Sequence, residues 1–166
     1  FTFNPRLSNR KTKEMSEQID HDENAVSIHV RRGDYLEPKY WKTTGCVCQL
    51  PYYLNAIAEM NKRISQPSYY VFSDDIAWVK ENLPLPKAFF IDWNKGTESW
   101  QDMMLMSRCR HHIICNSTFS WWGAWLNPRE NKTVIMPERW FRHCETPDIC
   151  PDKWIKVPIN QPDSIQ

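Results

Sequence analysis

Two adjacent arginines give this sequence its clearest chemical signal. Arg31 and Arg32 lie in the motif HVRRGDY, which directly follows a stretch rich in β-branched residues. Arginines at the end of a buried strand need partners, and the guanidinium fork matches the paired oxygens of a phosphate or carboxylate. Gly33 permits a sharp turn and a close approach to the backbone. The motif therefore predicts a phosphate-bearing ligand, with pairing of the arginines to Asp34 or Glu37 as the structural alternative.

A second candidate set is the run SDD at residues 73–75, which follows another strand-like stretch. Neighbouring carboxylates can bind a metal, act as acid and base, or accept the N–H donors of a guanine edge. The structural alternative is that Asp74 caps the next helix and Asp75 sits in its first turn, where the helix dipole favours a negative charge. The sequence favours the structural role for Asp75 and leaves the role of Asp74 open.

The third set is the run NSTFSWWGAW, which begins at Asn116. The hydroxyls of Ser117 and Thr118 and the free N–H groups at a helix start form an anion site. An N-cap made by either hydroxyl is the alternative, and both roles can hold because a capped helix end still presents donors. The tryptophans of this run are expected to pack on the sheet, with one of them lining a pocket: Trp121, Trp122 and Trp125.

Histidines and cysteines offer fewer chemical roles. His29 shares a strand face with Arg31, because side chains alternate with period two, and is a pocket candidate, whereas His111 and His112 are expected to be structural. No pair among the six cysteines has the C-x2-C spacing of a zinc site. Cys109 and Cys115 are expected at a helix end and a buried strand. A disulfide or a zinc site stays open for the loop cysteines Cys46, Cys48, Cys144 and Cys150.

Alternating elements must position these residues. Period-two and apolar runs predict five strands, and helical spacing predicts the helices between them. The strands are predicted at 26–30, 68–72, 88–91, 112–115 and 133–136, with a regular segment at 154–157, and the helices at 9–20, 51–64, 76–82, 98–109 and 119–126. This order predicts an α/β fold with a parallel sheet covered by helices on both faces.

Composition excludes several classes of protein. The 166 residues include 21 basic and 20 acidic side chains, which argues against nucleic-acid binding through a general basic surface. No segment approaches the ~20 apolar residues of a membrane span. The chain does not begin with Met, and we expect a fragment or a processed chain. The glycine-rich dinucleotide and Walker fingerprints are missing, so a nucleotide held by arginines and a helix start favours a sugar-nucleotide transferase.

The three motifs, in this order and spacing, resemble the α-1,2-fucosyltransferases, and the SWWGAW run resembles the bacterial branch most. The resemblance implies a GT-B enzyme with two Rossmann-like domains, of which residues 1–166 form the C-terminal, donor-binding half. The N-terminal acceptor domain, with its Gly-rich loop, is expected to be absent from this chain. The implied reaction is the inverting transfer of L-fucose from GDP-β-L-fucose to the 2-hydroxyl of a terminal galactose, without a metal or other cofactor.

The resemblance also implies roles for individual residues. Arg31 would hold the pyrophosphate and stabilise the leaving GDP. His29 and Asp74 would contact the guanine or the ribose. Arg32 and Asp34 would orient Arg31 or the loop. Asp34 is also the nearest candidate for the base that takes the acceptor proton, with a base in the N-terminal half as the alternative. Three hydroxyls would donate to phosphate oxygens: Ser117, Thr118 and Ser120.

The expected partners are GDP-fucose and a galactose-terminated glycan, and not a nucleic acid. The resemblance implies a cytoplasmic bacterial enzyme, with peripheral membrane contact through a lipid-linked acceptor. Two other classes of protein remain as alternatives. One is a non-catalytic module that binds a GDP-sugar or a glycan, and the other is a structural protein that binds metal through its cysteines and histidines.

Overall fold

The architecture is a single six-stranded sheet in which all the strands are parallel. A computed structural model describes residues 2–45 and 47–159. The strand order is β3-β2-β1-β4-β5-β6, so the chain winds outward from β1 in one direction and then from β4 in the other. The strands are β1 (Ala25–Val30), β2 (Ser68–Ser73), β3 (Ala88–Ile91), β4 (His111–Ile113), β5 (Val134–Pro137) and β6 (Ile155–Val157). This is the order of a doubly wound Rossmann-like fold, as predicted.

Helices cover both faces of the sheet. They are α1 (Arg10–His21), α2 (Leu50–Arg63), α3 (Ile76–Asn82), α4 (Trp100–Arg108) and α5 (Thr118–Trp125). Alternate residues of β1, such as Val26 and Ile28, pack with α2 and α3, while Ala25 packs with α1 and α4 on the opposite face. The buried tyrosines of α2 pack in the first of these cores, and those of β2 are divided between the two faces. Strand β1, at the centre of the sheet, is buried at every position.

Helix α5 comes unusually close to α4. A Cβ built on Gly123 would lie 2.9 Å from the Cβ of Met106, so a larger residue would force the two helices apart. Ala124, the next residue, is buried against β5. The small residues Gly123 and Ala124 therefore allow α5 to pack closely against α4 and the sheet, and this packing fixes the position of the N-terminus of α5.

The element predictions are confirmed, with shifts at their ends. The helix at Ile76–Asn82 and the strand at Ala88–Ile91 begin and end where predicted. Strand β4 ends at Ile113, earlier than predicted, so Cys115 follows the strand and is not part of it. The segment predicted as a long loop after β1 contains short helical turns over Asp34–Leu36, Pro38–Tyr40 and Trp41–Gly45.

The cysteines within the described residues are unpaired thiols. Cys48, Cys109 and Cys115 are buried, Cys144 is exposed, and Cys46 lies outside the described residues. Across 2–45 and 47–159, no group of three or more His, Cys, Asp or Glu side chains is arranged to hold a metal ion. In the same part of the chain, no helix is both long and apolar enough to cross a bilayer.

Candidate functional site

A cavity of about 880 Å³ opens at the carboxyl ends of the strands. It extends from the residues that follow β1 and β4 to those that follow β3. Its apolar floor is formed by Phe72, Ile91 and Phe119. The reversal of strand order between β1 and β4 leaves a crevice at that edge, which is where open α/β sheets bind their ligands. The volume falls within the range of small-molecule sites.

Arg31 lines this cavity and is held by two carboxylates. Its guanidinium lies 2.9 Å from Oδ1 of Asp34 and 3.3 Å from Oδ2 of Asp74. Burial opposes the positive charge, but the contact with Asp34 and the charge of Asp74 outweigh that cost and raise the pKa of Arg31. The pairing with Asp34 anticipated as a structural role is present. Arg31 still faces the cavity, so the ion pairs orient the guanidinium and leave it available to a ligand.

Asp75 has the structural role that the sequence favours for it, and Asp74 faces the cavity. Asp75 is the N-cap of α3, and its carboxylate accepts from the N–H of Trp78 at 3.1 Å. Asp74 lines the cavity, and its Oδ1 accepts from the backbone N–H of Arg32 at 2.9 Å. Of the alternatives left open for Asp74, the helix cap is therefore excluded, and the structural role favoured for Asp75 is confirmed. The N-cap position precedes the first helical residue, Ile76, which makes Asp75 the capping residue.

Arg32 is directed to the surface of α3 and does not line the cavity. Its Nε donates to Asp75 at 3.1 Å, and its guanidinium lies 4.0 Å from the centre of the Trp78 ring. The two neighbouring arginines thus face different surroundings, because successive side chains leave a strand end on opposite sides. Arg32 therefore holds the loop after β1 against α3, whereas Arg31 is the arginine exposed to a ligand in the cavity.

The helix start after β4 contributes two of its three predicted hydroxyls. Ser117 and Thr118 line the cavity, and Ser117 occupies the N-cap position without a capping bond from its side chain. The first N–H groups of α5 therefore remain available to an anion. Ser120 lies one turn further along and is 1% exposed. Its hydroxyl donates to the carbonyl of Ser117 at 3.2 Å, so the structure does not place Ser120 with the other two.

His29 lies in the cavity wall as a buried, neutral ring. Burial, aided by the charge of Arg31, lowers the pKa of His29 to about 3. Its Nδ1 lies 3.2 Å from the sulfur of Cys115, and Phe119 packs against the ring with the centroids 5.6 Å apart. At neutral pH the ring can therefore offer one N–H donor or one bare nitrogen, but no positive charge.

Polar residues beyond β3 were missed by the sequence reasoning. Asp92, Asn94 and Asp102 line the far part of the cavity. Burial raises the pKa of Asp102 to about 7, although the Asn94 amide, which donates to its carboxylate at 2.7 Å, acts in the opposite direction. The available signal was Asp92, since a polar residue directly after a third strand belongs to the same edge of the sheet as Arg31.

The tryptophans of α5 do not pack as predicted. Trp122 and Trp125 are 46% and 51% exposed, so the expectation that all three pack on the sheet was wrong. Trp121 is partly buried, and its indole N–H donates to the carbonyl of Ile149 at 2.8 Å. In a short helix only one face meets the sheet, and Ser120, Gly123 and Ala124 occupy that face.

The fold is that of a Rossmann-like domain with a candidate ligand site at the strand switch point. Residues 7–157 match Glycosyl transferase family 11, and the chain belongs to that family. It is 37% identical to an α-1,2-colitosyltransferase of Escherichia coli, over 93% of this chain and 54% of that protein.

Two further relatives extend the comparison. An O-antigen biosynthesis glycosyltransferase of Escherichia coli is 36% identical, over 84% of this chain and 46% of that protein. A galactoside α-(1,2)-fucosyltransferase 1 of Ateles belzebuth is 34% identical, over 64% of this chain and 30% of its own length. The chain spans about half the length of the bacterial relatives. The resemblance to α-1,2-fucosyltransferases drawn from the motifs is confirmed at the level of the family.

Proposed function

We propose that this chain is the donor-binding domain of an α-1,2-fucosyltransferase. The intact enzyme would transfer L-fucose from GDP-β-L-fucose to the 2-hydroxyl of a terminal galactose, with inversion at the anomeric carbon. Residues 1–166 would form the donor half of a GT-B architecture, and the acceptor would bind between this half and a second domain. Membership of the glycosyltransferase family and relatives named as α-1,2-fucosyltransferases support this proposal.

The observation that carries the proposal is the position of Arg31 at the strand switch point, in the same cavity as the uncapped start of α5. A guanidinium fork and free helix N–H groups both bind phosphate oxygens. A diphosphate between them would gain stabilisation as negative charge develops on the leaving GDP. The positive charge of Arg31 would serve in place of a metal ion, so the proposed reaction needs no cofactor.

The far part of the cavity would hold the nucleoside. Strand β3 lies two strands from β1, a separation of about 10 Å at a spacing of about 4.8 Å per strand. That span suits the separation of a base from the distal phosphate of a nucleoside diphosphate. The carboxyl groups of Asp92 and Asp102 would then accept the N–H donors of guanine. Asp74, which contacts Arg31 and the backbone of Arg32, would support the diphosphate end instead.

Asp34 is the proposed base for the acceptor hydroxyl. It lines the cavity beside Arg31, and the contact with Arg31 is made through Oδ1. Its Oδ2 would take the proton as the galactose oxygen attacks the anomeric carbon of fucose. If the acceptor is a lipid-linked glycan precursor, the intact enzyme would work at the cytoplasmic face of a bacterial membrane.

Calorimetric titration of this chain tests the donor assignment. GDP and GDP-fucose are expected to bind, UDP is expected to bind far more weakly, and EDTA is expected to leave binding unchanged. Equal binding of UDP, or a loss of binding with EDTA, would contradict the proposal. The full-length gene product, supplied with GDP-fucose and a galactose-terminated acceptor, tests turnover. Donor binding without transfer by that protein would favour the non-catalytic GDP-sugar-binding module.

Colitose is the second candidate for the transferred sugar. The relative that is 37% identical to this chain is named an α-1,2-colitosyltransferase. Colitose lacks one hydroxyl of fucose, so the two donors share the GDP moiety and would use the same diphosphate and base contacts. Competition between GDP-fucose and GDP-colitose for the full-length protein decides between them, through the ratio of their kcat/KM values.

A further inference from the structure

The sulfur of Cys115, which follows β4, contacts a histidine of the neighbouring strand β1 in the cavity wall. Cys115 follows β4 and is fully buried, and its sulfur lies 3.2 Å from Nδ1 of His29 on the neighbouring strand β1. The proposed reaction gives this thiol no direct role. Its buried position argues against nucleophilic chemistry, because burial raises the pKa of the Cys115 thiol to about 11 and keeps it protonated.

The hydrogens around this sulfur can be counted. Three groups near it can donate to the sulfur: the hydroxyl of Ser120, the backbone N–H of Arg31 and the hydroxyl of Tyr53. The hydroxyl of Ser120 is further away, at 3.7 Å, and donates to a backbone carbonyl. The thiol carries one hydrogen of its own, and the nearest acceptor for it is Nδ1 of His29. If Nδ1 of His29 instead carried a hydrogen and donated to the sulfur, the thiol hydrogen would have only the more distant hydroxyl of Ser120 as its acceptor.

We propose that Cys115 is a positioning residue that donates to Nδ1 of His29 and holds the ring as the Nε2–H tautomer. A neutral imidazole carries one hydrogen, so an Nδ1 that accepts from the thiol places that hydrogen on Nε2. His29 lines the cavity, and Nε2 is the nitrogen left for a ligand. This inference rests on the proposed function in one respect, because the ligand group that meets Nε2–H is taken to be an acceptor oxygen of the GDP moiety.

The tautomer can be read directly by NMR on protein with ¹⁵N-labelled histidine. The wild-type chain is expected to show His29 with a pyridine-like Nδ1 and a pyrrole-like Nε2. Cys115→Ala is expected to give a mixture of tautomers and to weaken GDP binding about tenfold, the worth of one hydrogen bond of about 1.4 kcal/mol. Cys115→Ser keeps a donor at the same place and is expected to restore both properties.

Cys109→Ala is the matched control, because Cys109 is also a buried thiol but its sulfur contacts the carbonyl of Leu105. It is expected to change neither the His29 tautomer nor GDP affinity. A wild-type ring with the hydrogen on Nδ1, or a Cys115→Ala chain with an unchanged tautomer, would overturn the proposal. The tautomer is measured without ligand, so a failure to bind GDP would count against the proposed function alone.

Discussion

The carboxylate of Asp74 lies directly over Gly33, so that a Cβ built on this glycine would come within 2.6 Å of Oδ2. The same carboxylate accepts from the backbone N–H of Arg32 and lies 3.3 Å from the guanidinium of Arg31. Glycine at position 33 therefore lets Asp74, the residue that follows β2, reach the loop after β1 and set the direction of Arg31. The contact of Asp74 with Arg31 and Arg32 thus links the carboxyl ends of β1 and β2.

Gly33→Ala is expected to weaken GDP binding about fivefold while the chain still folds. The new methyl group would displace the Asp74 carboxylate and remove one of the two ion pairs that orient Arg31, a loss of about 1 kcal/mol. Calorimetric titration measures the effect. Asp74→Ala supplies the control background, because it removes the group that the methyl would meet. If Gly33→Ala lowers GDP affinity equally in the wild-type and the Asp74→Ala chains, the effect comes from the backbone at position 33, and the steric explanation is contradicted.

Arg31→Ala is expected to weaken GDP binding roughly 10- to 150-fold, which corresponds to about 1.5–3 kcal/mol for a charge-assisted hydrogen bond. The side chain is 37% exposed, so the larger penalty of a fully desolvated charge does not apply. Arg31→Lys is expected to recover only part of the affinity, since lysine lacks the bidentate fork. Affinity unchanged in a folded Arg31→Ala chain would remove the basis of the donor assignment.

Arg32→Ala is expected to behave differently from its neighbour. It loses the ion pair to Asp75 and the contact with the Trp78 ring, which together lower the free energy of unfolding by about 1 kcal/mol. GDP affinity is expected to stay within threefold of wild type, because Arg32 does not line the cavity. Denaturant titration and calorimetry separate the two effects. A large loss of affinity at unchanged stability would instead place Arg32 at the ligand.

Affinity for GDP-fucose is expected to rise with pH through about 7. The pKa of Asp102 is raised to about 7, so its carboxyl group is protonated below that pH and becomes a carboxylate above it. Only the carboxylate can accept two N–H donors of guanine. GDP-fucose is the suitable probe because its phosphates have no second ionisation near neutral pH. Asp102→Asn is expected to bind more weakly with a flat pH profile, and the exposed Asp152→Asn is expected to keep the wild-type profile.

The chain is expected to lose stability as the pH falls below about 6.5. Burial, aided by the charge of Lys132, lowers the pKa of His112 to about 3, and its ring lies between Ser27 and Asn127. The unfolded chain takes up a proton near pH 6.5 while the folded chain does not, so the free energy of unfolding falls from there toward pH 3.

His112→Gln tests this origin of the acid sensitivity. The variant is expected to be less stable than wild type at pH 7.5, because the buried hydrogen bonds are disturbed, and to lose less stability between pH 7.5 and 5.5. His29 is also buried and neutral, so part of the acid loss is expected to remain. Exposed His143→Gln serves as the control. An unchanged pH slope in His112→Gln would contradict the assignment of the slope to buried histidines.

Much of the fold and part of the site could be predicted because they depend on periodicity. Parallel strands bring their carboxyl ends to one edge, so polar residues after β1, β2 and β4 had to meet there, as Arg31, Asp74 and Ser117 do. Which of the two residues Asp74 and Asp75 caps the helix could not be predicted. Both residues are carboxylates in sequence, and only the helix start at Ile76 decides which one becomes the N-cap.

Other features depended on distances that a sequence does not contain. Ser120 looks equivalent to Ser117 in the motif, but one turn of α5 carries it beneath the cavity to a backbone carbonyl. Asp102 looks like an ordinary acidic residue in the first turn of a helix. Its raised pKa comes from burial beside Asn94, a residue that reaches it from the segment after β3.

The uniformly parallel sheet also has a kinetic consequence. Every pair of neighbouring strands is joined through a crossover, so no hairpin can form locally and each pairing must close a long loop first. Arg31 and Ser117 are brought together only when β1 and β4 have paired. The cavity therefore forms only after β1, β2, β3 and β4 have assembled, and ligand binding at this edge would report the pairing of those four strands.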